Sequence, residues 1–119
     1  MSGQILLVED DDAVAKSLSR LLRADGYACS RVSNAEEAVE HLTREIPRLV
    51  ISDLNLPDMD GVSFVRRLRA DARTRDVPFI MYTGSCDAER MLSFVEAGAT
   101  TCCSKSKPEE LLRLVAELI

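Results

Sequence analysis

The chain has 119 residues, 46% of them hydrophobic and 29% charged, with 15 Lys plus Arg against 20 Asp plus Glu for a formal net charge of −5. That length suits one domain with a real core and leaves no room for a second folded unit. The acidic balance argues against a basic nucleic-acid-binding face, no apolar run approaches the ~18 residues of a membrane span, and Met1-Ser2-Gly3-Gln4 lacks the basic and apolar regions of a signal peptide. A cytoplasmic location is the expectation.

Apolar runs then alternate with helical patterns. Gln4 to Val8 stops at acids and reads as a strand buried on both faces. Val14, Leu18, Leu21 and Leu22 recur at helical spacing, with Asp11 or Asp12 available as N-cap and Gly26 as the stop. Tyr27 to Val32 gives a second, weaker strand. Asn34 caps a helix whose stripe is Ala35, Ala38, Val39, Leu42 and Ile46, ended by Pro47, with His41 on its polar side. Arg48 to Ser52 is a third strand ending at Asp53, and Asn55 to Gly61 is dense in turn formers. Val62, Val65 and Leu68 carry the third helix. Pro78 to Tyr82 is a fourth strand ending at Thr83-Gly84, and Asp87 caps a helix using Met91, Leu92 and Val95 up to Gly98. Thr100 to Ser104 is the last strand; Pro108 opens a final helix with Leu111, Leu112, Val115 and Leu118 inward.

Alternating strands and helices with short loops specify an α/β fold, a doubly wound five-stranded parallel sheet covered on both faces. The order 2-1-3-4-5, a flavodoxin-like (βα)5 three-layer sandwich, suits this size and places a site at the carboxyl ends of strands one and three. Glu9 and Asp10 end the first strand, Asp53 the third, Thr83 the fourth and Lys105 the fifth; the second contributes nothing comparable. Three converging carboxylates repel one another unless a cation sits among them, and Mg2+, which keeps several waters and often takes one or two carboxylates plus phosphate oxygens, suits Glu9, Asp10 and Asp53 better than Ca2+, for which too few protein oxygens are in view. An ionised carboxylate beside an ammonium can attack phosphorus, with Lys105 neutralising the transferred group and Thr83 bonding one of its oxygens.

The four cysteines, at 29, 86, 102 and 103, read as small buried hydrophobes rather than a disulfide framework or a zinc site. Adjacent strand residues point to opposite faces, which separates Cys102 from Cys103.

Leu6-Leu7-Val8-Glu9-Asp10-Asp11, the segment Ser52 to Gly61, Tyr82-Thr83-Gly84 and Ala97-Gly98-Ala99 followed by Lys105 together resemble the receiver domains of two-component response regulators, over essentially the whole of residues 1–119 as one receiver domain. The resemblance implies that Asp53 accepts a phosphoryl group from a histidine kinase or histidine phosphotransfer protein. It also implies that Asp10, Asp53 and the backbone carbonyl of Asn55 bind Mg2+, with Glu9 acting through water. Thr83 and Lys105 would shift the fourth helix, fifth strand and fifth helix, a face that could also support a homodimer, and Asn55 and Ser85 would tune hydrolysis. Such a domain catalyses its own phosphorylation and is not an enzyme acting on a free metabolite. The length leaves nothing for an effector domain, and the end at Leu118-Ile119 reads as a cut before a linker.

Two positions depart from the pattern. Cys102 stands where the family has a switch aromatic, and a redox role there is a secondary hypothesis. Ser106 replaces a cis proline; a cis bond before serine costs about 2.5 to 4 kcal/mol, so Lys105-Ser106 is expected trans. Rival readings are a degenerate, unphosphorylated binding module and a haloacid-dehalogenase-type phosphatase with Asp58 as nucleophile, since Asp58-Met59-Asp60-Gly61-Val62 fits that motif but follows a loop rather than a strand.

Overall fold

The computed structural model describes residues 4–119. Five strands, β1 (Gln4–Val8), β2 (Ala28–Val32), β3 (Leu49–Asp53), β4 (Phe79–Thr83) and β5 (Thr101–Ser104), alternate with five helices. These are α1 (Asp12–Ala24), α2 (Ala35–Arg44), α3 (Gly61–Ala70), α4 (Ala88–Ala97) and α5 (Pro108–Leu118). The strands are all parallel in the order β2-β1-β3-β4-β5, as expected from the sequence. Among the described residues no helix is long and apolar enough to cross a membrane.

Strand alternation divides the core in two. Leu6, Val50, Phe79, Met81 and Cys102 face α2, α3 and α4, while Ile5, Leu7, Ile51, Ile80 and Cys103 face α1 and α5. The side chains of Asp11, Asn34, Asp60 and Asp87 accept backbone N–H bonds at the starts of α1 to α4, which offsets the unpaired donors of each first turn.

Several inward positions differ from the sequence reading. In α4 the buried residues are Phe94 and Ala97, whereas Met91, Leu92 and Val95 face outward, Leu92 with 61% exposure. The helix is apolar on two sides, and the aromatic ring, having the larger area to bury, takes the core side. Leu21 is also exposed, and Ile46 lies beyond the end of α2 and is exposed, because that helix stops at Arg44. His41 is partly buried, with Nε2 enclosed and lacking a hydrogen-bond partner among the described residues. Phe64, absent from the expected stripe of α3, is fully buried against Phe79 at a ring separation of 5.9 Å.

The cysteines split in a way the sequence did not indicate. Cys29 and Cys103 are buried free thiols, but Cys86 and Cys102 form a disulfide, so the expectation of four unpaired cysteines is corrected. Sixteen positions apart, they are brought to a Cα separation of 6.0 Å by the crossover through α4. No peptide bond is cis among the described residues, in line with the expectation for Lys105-Ser106. In place of a cis turn, Lys107 N–H donates to the Ser104 carbonyl at 3.0 Å, and the Ser104 and Ser106 hydroxyls lie 2.8 Å apart.

Candidate functional site

Parallel pairing carries the expected residues to one edge of the sheet. Val8 pairs with Ser52, Asp53 with Tyr82 and Thr83 with Ser104, so Glu9, Asp53, Thr83 and Lys105 all emerge at the carboxyl ends of adjacent strands. One ligand oxygen from each of Glu9, Asp10 and Asp53 lies within 4.8 Å of the others. Glu9 is 1% exposed and Asp53 9%, while Asp10 is exposed, so the cluster has a dry floor and an open rim.

Lys105 closes the floor. Its Nζ sits 3.0 Å from Glu9 Oε1 and 3.2 Å from Asp53 Oδ2. Its backbone is clamped to β4, with its N–H donating to the Thr83 carbonyl at 2.7 Å and its carbonyl accepting from the Tyr82 hydroxyl at 3.4 Å. Burial pushes the Glu9 carboxyl above its ordinary value despite the opposing bonds from Lys105 and the Asp11 N–H. For Lys105, burial works to lower the value, but the bonds and charges of Glu9 and Asp53 outweigh it and hold the ammonium above the usual range. Thr83 is buried at the end of β4, and Asn55 and Ser85 are exposed, each two residues beyond a strand end, at Asp53 and Thr83.

Three oxygen donors around a partly solvated opening fit a hard divalent cation. Asp10 and the Asp53 oxygen not paired with Lys105 are open to direct coordination, whereas both Glu9 oxygens already accept, one from Lys105 and one from the Asp11 N–H at 3.2 Å. That occupancy suits a water-mediated role for Glu9.

Arg31, on the strand read as contributing nothing, buttresses the site. Its Nε donates to the Glu9 carbonyl at 2.9 Å and its Nη1 pairs with Asp12 at 2.9 Å. A charged residue inside an apolar strand was the available signal. Gly61 is a second support. Its N–H donates to the Leu54 carbonyl at 2.6 Å, and a Cβ there would meet the Asp53 carbonyl oxygen at 2.8 Å and Met81 Sδ at 2.7 Å. Only glycine lets α3 start this close to the backbone of Asp53.

Asp58 is placed elsewhere. Its two carboxylate oxygens accept from the N–H groups of Ala35 and Glu36 at 3.0 and 2.8 Å, pinning the loop after β3 to the start of α2. An exposed carboxylate committed to a helix start is not a buried nucleophile, which removes the geometric basis of the phosphatase reading.

The sequence profile of the family described as "Response regulator receiver domain" matches residues 5–116. The DNA-binding response regulator MtrA of Mycolicibacterium smegmatis is 34% identical over 116 residues, 97% of this chain and 50% of that protein. The chain thus spans about half the length of the curated relatives it matches. The chemotaxis response regulator CheY4 of Vibrio cholerae superposes with a TM-score of 0.93 at 26% identity, covering 100% of both chains. The receiver domain of the sensor histidine kinase PA1611 from Pseudomonas aeruginosa, solved with a magnesium ion coordinated in its active site cleft, superposes with a TM-score of 0.88 at 29% identity over 99% of this chain and 98% of that one.

Proposed function

The chain belongs to the response regulator receiver domain family, and on that premise we propose that Asp53 accepts a phosphoryl group from a histidine kinase or histidine phosphotransfer protein. The observation that carries this reading is the convergence of Glu9, Asp10 and Asp53 on the ammonium of Lys105. An Asp53 oxygen attacks phosphorus, the bond from phosphorus to the donor imidazole breaks, and the imidazole leaves with the bonding pair and takes up a proton. Lys105 keeps the nucleophile ionised and then balances the charge on the new acyl phosphate, and the Thr83 hydroxyl donates to one of its oxygens. Asp10, Asp53 and the Asn55 carbonyl would hold Mg2+, with Glu9 acting through water. The bound ion would neutralise charge on the transferring group.

Residues 1–119 act in this reading as one cytoplasmic receiver unit, with output delivered by a partner or by further sequence. Outward-facing Met91, Leu92 and Val95 on α4 support the α4–β5–α5 side as the surface that changes partners, including a second copy. A net charge of −5 supports leaving nucleic-acid contact to another domain.

Intact mass after incubation with acetyl phosphate and Mg2+ tests the proposal. One added phosphoryl group is expected in the wild type and none in Asp53→Asn. A wild type that gains none favours the unphosphorylated binding module.

A further inference from the structure

The disulfide links the two segments that carry the polar groups of the phosphoryl site. Cys86 lies three residues after Thr83, and Cys102 three residues before Lys105. The ring closed by this bond contains the whole of α4, from its N-cap Asp87 to its C-cap Gly98. Cys102 is 3% exposed, opposite Met81 in the sheet, and packs in the core that holds Phe94, the anchor of α4. Cys86 is partly buried at the edge of the same core, and its neighbours Ser85 and Asp87 are exposed. The bond therefore ties the start of α4 to β5, with Cys86 the less buried of its two residues.

We propose that the Cys86–Cys102 disulfide is a redox modification site, reduced by an external dithiol, that controls whether phosphorylation at Asp53 displaces α4. The inference rests on the phosphoacceptor reading of Asp53. In the oxidised chain the β4–α4 loop cannot move away from β5, because any such movement must carry Cys102 and its strand with it. Reduction cuts that tie.

The chemistry balances as thiol–disulfide exchange. A thiolate of the dithiol attacks Sγ of Cys86, the less buried of the two residues, and the S–S bond breaks with its electron pair going to Sγ of Cys102, which takes a proton in the core. The second thiol of the reagent then displaces Cys86 from the mixed disulfide. Two electrons and two protons pass from the dithiol to the protein, and the reagent leaves as its own disulfide. The remaining thiol of Cys102 stays as a small apolar group where it was.

Hydrogen exchange of residues 84–98, with and without acetyl phosphate and Mg2+, tests this on oxidised protein, dithiothreitol-reduced protein and Cys86→Ser. Phosphorylation is expected to change exchange across α4 in the reduced protein and in Cys86→Ser, and to change it at least about fivefold less in the oxidised protein. Alkylation of unreduced, denatured chains should label Cys29 and Cys103 alone. Labelling of all four cysteines without reductant overturns the bond itself. Equal exchange responses in phosphorylated oxidised and reduced protein overturn the coupling and leave the phosphoacceptor reading standing. No added phosphoryl mass in either form overturns both.

Discussion

Lys105 holds Glu9 at 3.0 Å, slightly closer than the 3.2 Å at which it holds Asp53. The ammonium is thus as much the counter-charge of a buried glutamate as the partner of the proposed acceptor. Removing it in Lys105→Met leaves an almost fully buried carboxylate unpaired, at a cost of about 3 kcal/mol near pH 7 without Mg2+. The sign with pH follows from Glu9, whose folded value already stands above 4.5. An acid with a raised folded value binds its proton more tightly in the folded chain, so the penalty is absent below 4.5 and grows as pH rises through the folded value. Urea unfolding of Lys105→Met should accordingly show a smaller loss at pH 5 than at pH 7, and a constant loss would contradict this role.

Gly61→Ala should lower stability by about 1–3 kcal/mol, because the atoms met by the new Cβ include the backbone of Asp53 and Leu54 rather than the ends of flexible side chains alone. The same shift displaces Asp53, so the rate of phosphorylation by acetyl phosphate should fall together with the thermal midpoint. A variant as stable and as fast as wild type would show that the helix start can retreat.

Asp58→Asn separates the helix-start role from any nucleophilic one. Burial is the largest single influence on the Asp58 carboxyl and pushes it up, but the backbone N–H bonds of Ala35, Glu36, Asp58 and Met59 together outweigh it and hold the group below its ordinary 3.8, so its contribution is present above that value and is lost as pH falls through the lower folded one. The exposed side chain limits the loss at pH 7 to about 0.5–1 kcal/mol. Phosphorylation measured by intact mass should be unchanged.

Reduction of Cys86–Cys102 should cost about 3 kcal/mol of unfolding free energy, the chain-entropy value for a closed loop of this length, read from urea curves with and without reductant. Cys103, whose thiol burial pushes up to about 11, should resist iodoacetamide in the folded protein under both conditions.

Most of the fold was legible because local signals agreed with one another. Asn34 and Asp87 cap the helices assigned to them, and apolar runs ended by acids became strands ended by acids. The convergence of the candidate site was legible for the same reason: strand ends in a parallel sheet converge, so Glu9, Asp53 and Lys105 needed only correct topology to meet. The facing of α4 was not legible, since Met91, Leu92 and Val95 satisfy a helical period as well as Phe94 and Ala97 do. Only packing against β5 and α3 decides between them. Arg31 and the Cys86–Cys102 bond were missed because each depends on a partner distant in sequence, the Glu9 carbonyl in one case and the end of the α4 crossover in the other.

Cys102 and Cys103 are chain neighbours with opposite surroundings, one bonded beneath α4 and the other a free thiol beneath α5. The hydrogen-bonded sheet stands between them as a partition. For Cys103 to invade the Cys86–Cys102 bond, β5 would have to turn over, which means stripping it from β4 and unburying both layers of the core. Scrambling of the sulfur pairing is thereby barred by topology as well as by the reluctance of Cys103 to ionise. An odd-numbered exchange among three nearby sulfurs is reduced to a two-membered circuit that opens and closes on the same partners.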